Sequence, residues 1–223
     1  MPIMSVLAFE ISATIRHDGQ GGVADGLATL ELTEAWIQAN VPLVEQVLSG
    51  TSSLASASSP ALSALSSPTS GVFDAAALAV DEGVREQLLS VRRAVRSLFA
   101  RAVSPAPPSK ADASRLLEPA VALRLLNEAA DKLGSAHLDW PEDGEPVTRW
   151  SAESSDPLAL LLGAIGRSGI DFLAGPDRLR LRACPAARCV KYFLQDDPRQ
   201  TWCSPSCGNR ERVNRHYQRK HAG

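Results

Sequence analysis

All four cysteines of this 223-residue chain fall within one 24-residue window: Cys184, Cys189, Cys203 and Cys207. Their spacing is C-x4-C, then thirteen residues, then C-x3-C. Two close pairs separated by a short span are the pattern of a structural zinc site. Thiolates bind Zn2+ tetrahedrally, and one tight turn can supply each pair. The wider stretch that contains this window, residues 178–223, holds nine arginines. A fold built on this chain must bring two distant turns to one point in space and surround that point with positive charge.

Composition frames the rest. Hydrophobic content is 44%, ordinary for a globular protein, while aromatics are only 5% and the abundant Ala and Leu favour helix. Clustered cysteines in an otherwise cysteine-free chain read as metal-binding in a reducing compartment, not as a disulfide scaffold. The start, Met1 to Glu10, has no basic segment and reaches an acid too early for a signal peptide. The longest apolar run, residues 158–165, is far short of a membrane span. A cytoplasmic protein without a membrane partner is expected.

The net charge of -2 conceals an asymmetry. Residues 178–223 hold eleven Arg or Lys against three acids, which leaves twelve bases against twenty-two acids in residues 1–177. A basic tail on an acidic body points to polyanions, nucleic acid first. The competing expectation is a tail that solubilises, or docks on its own acidic body.

The pattern along the chain predicts an α+β fold, mostly helical. Residues 6–16 read as a strand, residues 17–22 as a turn, and residues 26–31 as a second strand. Thr33 reads as an N-cap, followed by a short helix, with a second short helix over 41–48 that has Pro42 in its first turn. Residues 49–70 carry no charge and little beyond Ser, Ala, Leu, Pro, Thr and Gly, and read as a flexible insertion. An amphipathic helix is predicted over 81–103: Val84, Leu88, Val91, Val95, Leu98 and Phe99 form the core face, with Arg92, Arg93 and Arg96 on a solvated one. Pro105 to Pro108 stops it, Ser109 caps the next helix, which runs to about Leu133 with Pro119 as a candidate interruption, and Gly134 ends it. Residues 137–140 and 147–150 flank Asp143-Gly144, a hairpin signal. Asp156-Pro157 opens an apolar, central helix that ends at Gly175.

The cysteine window predicts a treble-clef-like module in the order strand, knuckle, strand, knuckle, helix. Strands are expected over 179–183 and 190–194. Ser206 is expected to cap a last helix from Cys207 to about His221, with Val213 and Tyr217 packed on the knuckle. Arg212, Arg215 and Arg219 share one side of that helix, beside His216. Asn209, Arg210, Arg212, Arg215, Arg219 and Lys220 are the candidate nucleic-acid residues; for Asn209, bracing the knuckle is an equal reading. Iron would accept the same four thiolates, and His216 or His221 would be awkward substitutes, lying well beyond Cys207 along the helix.

Cys207-Gly208-Asn209-Arg210, following C-x4-C and Trp202-Cys203, resembles the CGNR zinc finger, which stands at the C-terminus of bacterial proteins with an N-terminal ABATE domain. Asp156-Pro157-Leu158-Ala159, Leu173 to Asp177 and Leu181 to Cys184 are similar to that family's approach to its finger. At the N-terminus, Phe9 to Thr14 departs from the family's Asp-Phe-x-Asn-Thr. The resemblance implies one structural zinc ion, DNA binding, and a regulator of stress-induced transcription. It divides the chain into an ABATE-like regulatory domain over 1–175 and a finger over 176–223.

The leading expectation is a zinc-dependent DNA-binding regulator, with a homodimer and a small-molecule effector of the N-terminal domain both compatible with it. The alternative is a zinc-stabilised protein-interaction module without DNA binding. An enzyme is not expected, because no nucleophile–base set is legible and four cysteines would close the metal to substrate.

Overall fold

A computed structural model describes residues 6–18, 22–49, 73–112, 114–139, 147–151 and 155–221. The elements in chain order are α1 (Leu7–Ala13), β1 (Ile15–His17), β2 (Val23–Asp25), α2 (Leu30–Leu48), α3 (Glu82–Val103), α4 (Pro119–Ala130), β3 (Ser135–Asp139), β4 (Val147–Ser151), α5 (Pro157–Ala174), β5 (Leu181–Ala183), β6 (Tyr192–Leu194) and α6 (Pro205–His221). The strands form three separate antiparallel pairs, β1 with β2, β3 with β4, and β5 with β6. Helix dominates and the sheet is minor, as the composition leads one to expect.

Helix α5 is the centre. Asp156 caps it, its carboxylate accepting from the Leu158 and Ala159 amides, and Pro157 occupies the first turn, where a missing N–H costs nothing. Ten of its residues are buried, and α1, α2, α3 and α4 all pack against it. By length and mean hydropathy (1.4 over 18 residues) it would suit a membrane, but here its apolar surface is met by other helices. Gly175 ends it with an extended φ of -80°, not in the left-handed conformation.

The closest approach is at α4. A Cβ on Gly166 would lie 2.5 Å from the Ala130 backbone nitrogen, and one on Gly163 would lie 2.6 Å from Leu133. Gly163, Gly166 and Gly169 therefore form a smooth face that lets the α4 backbone come down on α5. Gly166→Ala must push the two backbones apart, at an expected cost of about 1–3 kcal/mol. Thermal unfolding should show a fall of several degrees; an unchanged midpoint would mean the contact yields freely.

Several local expectations are corrected. Residues 6–16 are not one strand: Leu7, Ala8 and Ile11 lie on one helical face at 0–1% exposure, so α1 forms, and only Ile15 to His17 extend as β1. The second strand lies at Val23–Asp25, not 26–31, because the Asp25 carboxylate accepts from the Leu27 amide and turns the chain there. Thr29, not Thr33, caps α2; Thr33 sits inside it and donates its hydroxyl to the Thr29 carbonyl at 2.8 Å. Nor does the helix break at Pro42. Thr33, Ile37, Asn40 and Val44 keep one buried face through it, and packing overrides the lost hydrogen bond.

The arginine face of α3 is also corrected. Asp81 caps the helix and the apolar face is buried as expected. Arg92 and Arg96, however, are 9% and 4% exposed, and only Arg93 of the three faces solvent. Ser109 caps nothing: its hydroxyl donates to the Val190 carbonyl at 2.8 Å, and α4 begins only at Pro119. Gly134, at φ 77°, does end the following turn. The hairpin strands pair as expected, with Ala136 opposite Trp150. Its Asp143-Gly144 turn, and all of the 49–70 insertion except Ser49, lie outside the described residues.

Candidate metal centre and the helix it holds

Strand β6 belongs to two cores at once. Tyr192 and Leu194 point into the main cluster with Phe99 and Phe172, and Phe193 points the other way, toward the cysteines. This is the period-two alternation of a strand used to join two units. The Tyr192 ring lies 5.6 Å from Phe99, edge-on, and Phe99 meets both Phe9 and Phe172.

Short irregular turns set the cysteines. Residues 176–180 form a single helical turn, so the lead-in strand β5 is shorter than the expected 179–183, and β6 begins at Tyr192 instead of Val190. The first knuckle closes with the Cys189 amide donating to the Ala186 carbonyl at 3.0 Å. Arg188, at φ 64°, supplies the left-handed step before Cys189. The second knuckle enters α6 two residues earlier than expected. Pro205 opens the helix, and the Ser204 hydroxyl, not that of Ser206, accepts from the Cys207 amide at 3.3 Å.

These turns bring the four sulfurs within 4.8 Å of one another. Cys189 and Cys203 sulfurs are 3.7 Å apart, and those of Cys203 and Cys207 3.5 Å apart. A zinc–sulfur bond of about 2.3 Å requires tetrahedral edges of roughly 3.8 Å, so the donors present fit one zinc ion closely. Three of the four cysteines are buried. The Cys203 amide donates to the Cys184 sulfur at 3.5 Å. Hydrogen bonds from Cys189 and Cys203 favour the Cys184 thiolate, and the same closeness pushes the Cys189 and Cys203 thiols up. Without a cation this cluster holds its charges only at high cost. Zinc is what such a set of thiolates needs. Neither His216 nor His221 takes part in the cluster.

The centre is braced from both sides. The Glu211 carboxylate accepts the Ala187 amide at 3.0 Å, linking α6 to the first knuckle, and that bond, with help from Arg215, holds Glu211 below the usual carboxylate range. Lys110 donates to the Pro185 and Ala186 carbonyls at 2.9 and 2.6 Å. Gly208 lets the helix pass the Trp202 ring, which a Cβ would meet at 3.1 Å.

Below the knuckle, Arg96 holds the finger to α3. Its guanidinium donates to both Asp112 oxygens at 2.7 and 3.0 Å, to the Ser12 carbonyl at 2.6 Å and to the Val190 carbonyl at 3.2 Å. Tyr192 donates to the same Asp112 at 2.7 Å; burial first, and then Asp112, push its phenol up. None of Lys110, Asp112 or Glu211 stands out in the sequence. Arg96 does, but its helical position suggests solvent.

The expected nucleic-acid residues sit together on α6, and all of Asn209, Arg210, Arg212, Arg215, Arg219 and Lys220 are exposed. Asn209 does not brace the knuckle: it accepts a hydrogen bond from Arg212. Arg215 pairs with Glu211 at 3.2 Å. Val213 and Tyr217 do not pack on the knuckle either, being 69% and 62% exposed. Beyond Gly208 the helix buries no residue, because the knuckle's small core is already filled by Ala186, Phe193 and Trp202. A cleft of about 560 Å3 runs beside Cys203 and Cys207, with Arg16, Lys191 and Arg210 on its walls.

No curated protein matches the chain. The profile of the CGNR zinc finger matches residues 180–220, over the cysteines and most of α6. The ABATE profile, described as "Putative stress-induced transcription regulator", matches residues 5–176. The four-thiol centre, the Cys207-Gly208-Asn209-Arg210 turn and the helical body in front of it thus meet in one assignment: the chain belongs to the ABATE family and carries a C-terminal CGNR zinc finger.

Proposed function

We propose that this chain is a cytoplasmic, zinc-dependent DNA-binding transcription regulator, with residues 1–175 as its regulatory unit and residues 176–223 as its DNA-binding unit. The observation that carries the reading is the state of α6. The helix is fixed at its first turn by Cys207 and then projects with Arg210, Arg212, Arg215, Arg219 and Lys220 exposed and one acid, Glu211, among them. Helical arginines three and four apart suit successive phosphates, and a helix free on most sides suits a groove. Arg16 and Lys191 line the cleft beside Arg210, with Asp18 as the one carboxylate among its lining residues. Zinc has a structural role here: four cysteines leave it no open position, and the reading assigns the chain no catalysis.

Exposed Val213 and Tyr217, one turn apart, favour a second reading in which α6 docks a protein partner or a second copy of the chain. Titration of duplex DNA at several salt concentrations separates the two. The DNA reading expects affinity that falls steeply with salt and is lost when Arg212, Arg215 and Arg219 all become glutamine. Absent binding, or binding indifferent to those substitutions, would contradict it.

A further inference from the structure

The basic residues of the finger answer an obvious partner, but a second cationic feature lies in the acidic body. A cavity of about 310 Å3 opens beside α3, and four guanidinium groups line it: Arg92, Arg93, Arg96 and Arg115. Asp112 is the one carboxylate among its lining residues. Ile15, Leu89 and Leu116 supply apolar wall. The volume is at the lower end for small-molecule sites, which combine apolar lining with a few placed polar groups.

The four arginines divide into two kinds. Arg92 and Arg96 are buried and already neutralised. Arg92 donates to Asp25 at 2.8 Å and to Thr14 at 3.0 Å, and Arg96 is held by Asp112. For Asp25, burial works against ionisation, but the hydrogen bond and charge of Arg92 and the Leu27 amide bring its pKa below the usual value. Those pairs fix the floor. Arg93 and Arg115 stand exposed at the mouth. Arg93 spends only its Nε, on the Arg115 carbonyl at 3.0 Å, and neither residue has a carboxylate partner among the described residues. Two uncompensated positive charges thus converge on one concavity, in a body whose net charge is strongly negative. Residues 83–117, which supply most of the lining, carry seven Arg or Lys against two acids, Glu86 and Asp112, and Asp112 is already engaged by Arg96.

The cavity also touches the wiring of the finger. Asp112 and Arg96, which line it, make the hydrogen bonds to Tyr192 and to the Val190 carbonyl, one residue after the ligand Cys189.

We propose that this cavity binds a small organic anion, a carboxylate or phosphate ester with a short apolar part, through Arg93 and Arg115, and that occupancy is felt at the finger through Asp112 and Arg96. The first limb does not depend on DNA binding. Calorimetric titration of the zinc-loaded chain with phenyl phosphate and with benzoate tests it, with benzyl alcohol as the neutral control. Saturable binding of at least one anion is expected, with the two anions separating phosphate from carboxylate preference. The alcohol should not bind, and Arg93→Gln with Arg115→Gln should weaken the anion roughly tenfold or more. Arg115→Gln alone, which removes no observed hydrogen bond, should already weaken it. Exchanging Arg212, Arg215 and Arg219 for glutamine should leave it unchanged. No saturable anion binding, equal binding of the alcohol, or loss in the α6 variant with retention in the Arg93 and Arg115 variant would overturn the site. In the same titration followed by amide NMR, the Lys191 amide, whose peptide carbonyl is that of Val190, should shift with occupancy; a silent Lys191 at saturation would overturn the link to the finger.

Discussion

Replacing Cys207 with alanine should release the zinc ion and unfold the finger while α1 to α5 remain folded. The finger's own core is Ala186, Phe193, Trp202 and the cysteines themselves, too little apolar area to order two knuckles and a helix. In isolated zinc-finger peptides the metal supplies on the order of 10–16 kcal/mol, so its loss outweighs everything the module can offer in return. Three thiolates with no fourth would leave the coordination shell open, and α6 would lose the contact that fixes its first turn. Metal analysis should give one zinc per wild-type chain and a small fraction of that in the variant. Limited proteolysis should cut within residues 195–221 of the variant and spare the body. A variant that keeps its zinc and its protease resistance would contradict this. Wild-type protein should lose zinc to acid for the same reason, because protons and metal compete for the sulfurs.

The second large effect belongs to Arg96. Arg96→Met keeps the length of the side chain and removes the guanidinium. Asp112 would then be a buried carboxylate with Tyr192 as its remaining side-chain donor, and the Ser12 carbonyl would lose its Arg96 donor. Breaking one half of a buried pair typically costs about 3–5 kcal/mol. In a domain of this size that is roughly a 10 °C fall in the unfolding midpoint. Arg96→Lys should recover little, because one ammonium cannot reach Asp112, Ser12 and Val190 in the planar fork that the guanidinium provides. Combining Arg96→Met with Asp112→Leu should restore part of the loss, since no charge is then left unpaired. A fall of under about 0.5 kcal/mol in the single variant would show that the pair is not holding the finger to α3.

The sequence discloses the finger more fully than the body, for physical reasons. Four cysteines can serve one ion only if their turns meet, so their spacing alone announces Cys184, Cys189, Cys203 and Cys207 as one centre. Helix α5 is legible because Asp156, Pro157 and an unbroken apolar run agree with one another. Residues 6–16 mislead because their β-branched residues fit a strand and their apolar spacing fits a helix, and only burial against α5 decides. Arg92 and Arg96 mislead in a deeper way. Periodicity separates apolar from polar faces, but a buried arginine is stable only if carboxylates come from elsewhere. Asp25 and Asp112 lie 67 and 16 residues away, beyond the reach of any local pattern. Val213 and Tyr217 follow helical spacing for a buried face that the finger is too small to provide, so both stay exposed.

The central claim is that the zinc-held helix α6 binds DNA through its arginines. Its most direct measurement is the slope of log K against log salt for duplex DNA, taken on the zinc-loaded chain and on the Arg212, Arg215, Arg219 triple glutamine variant. The account predicts a negative slope for the wild type of about 0.9 per phosphate neutralised, and a slope shallower by up to about 3 in the variant, with its affinity lowered on every sequence alike. Identical slopes for the two proteins, or no binding at low salt, would contradict it.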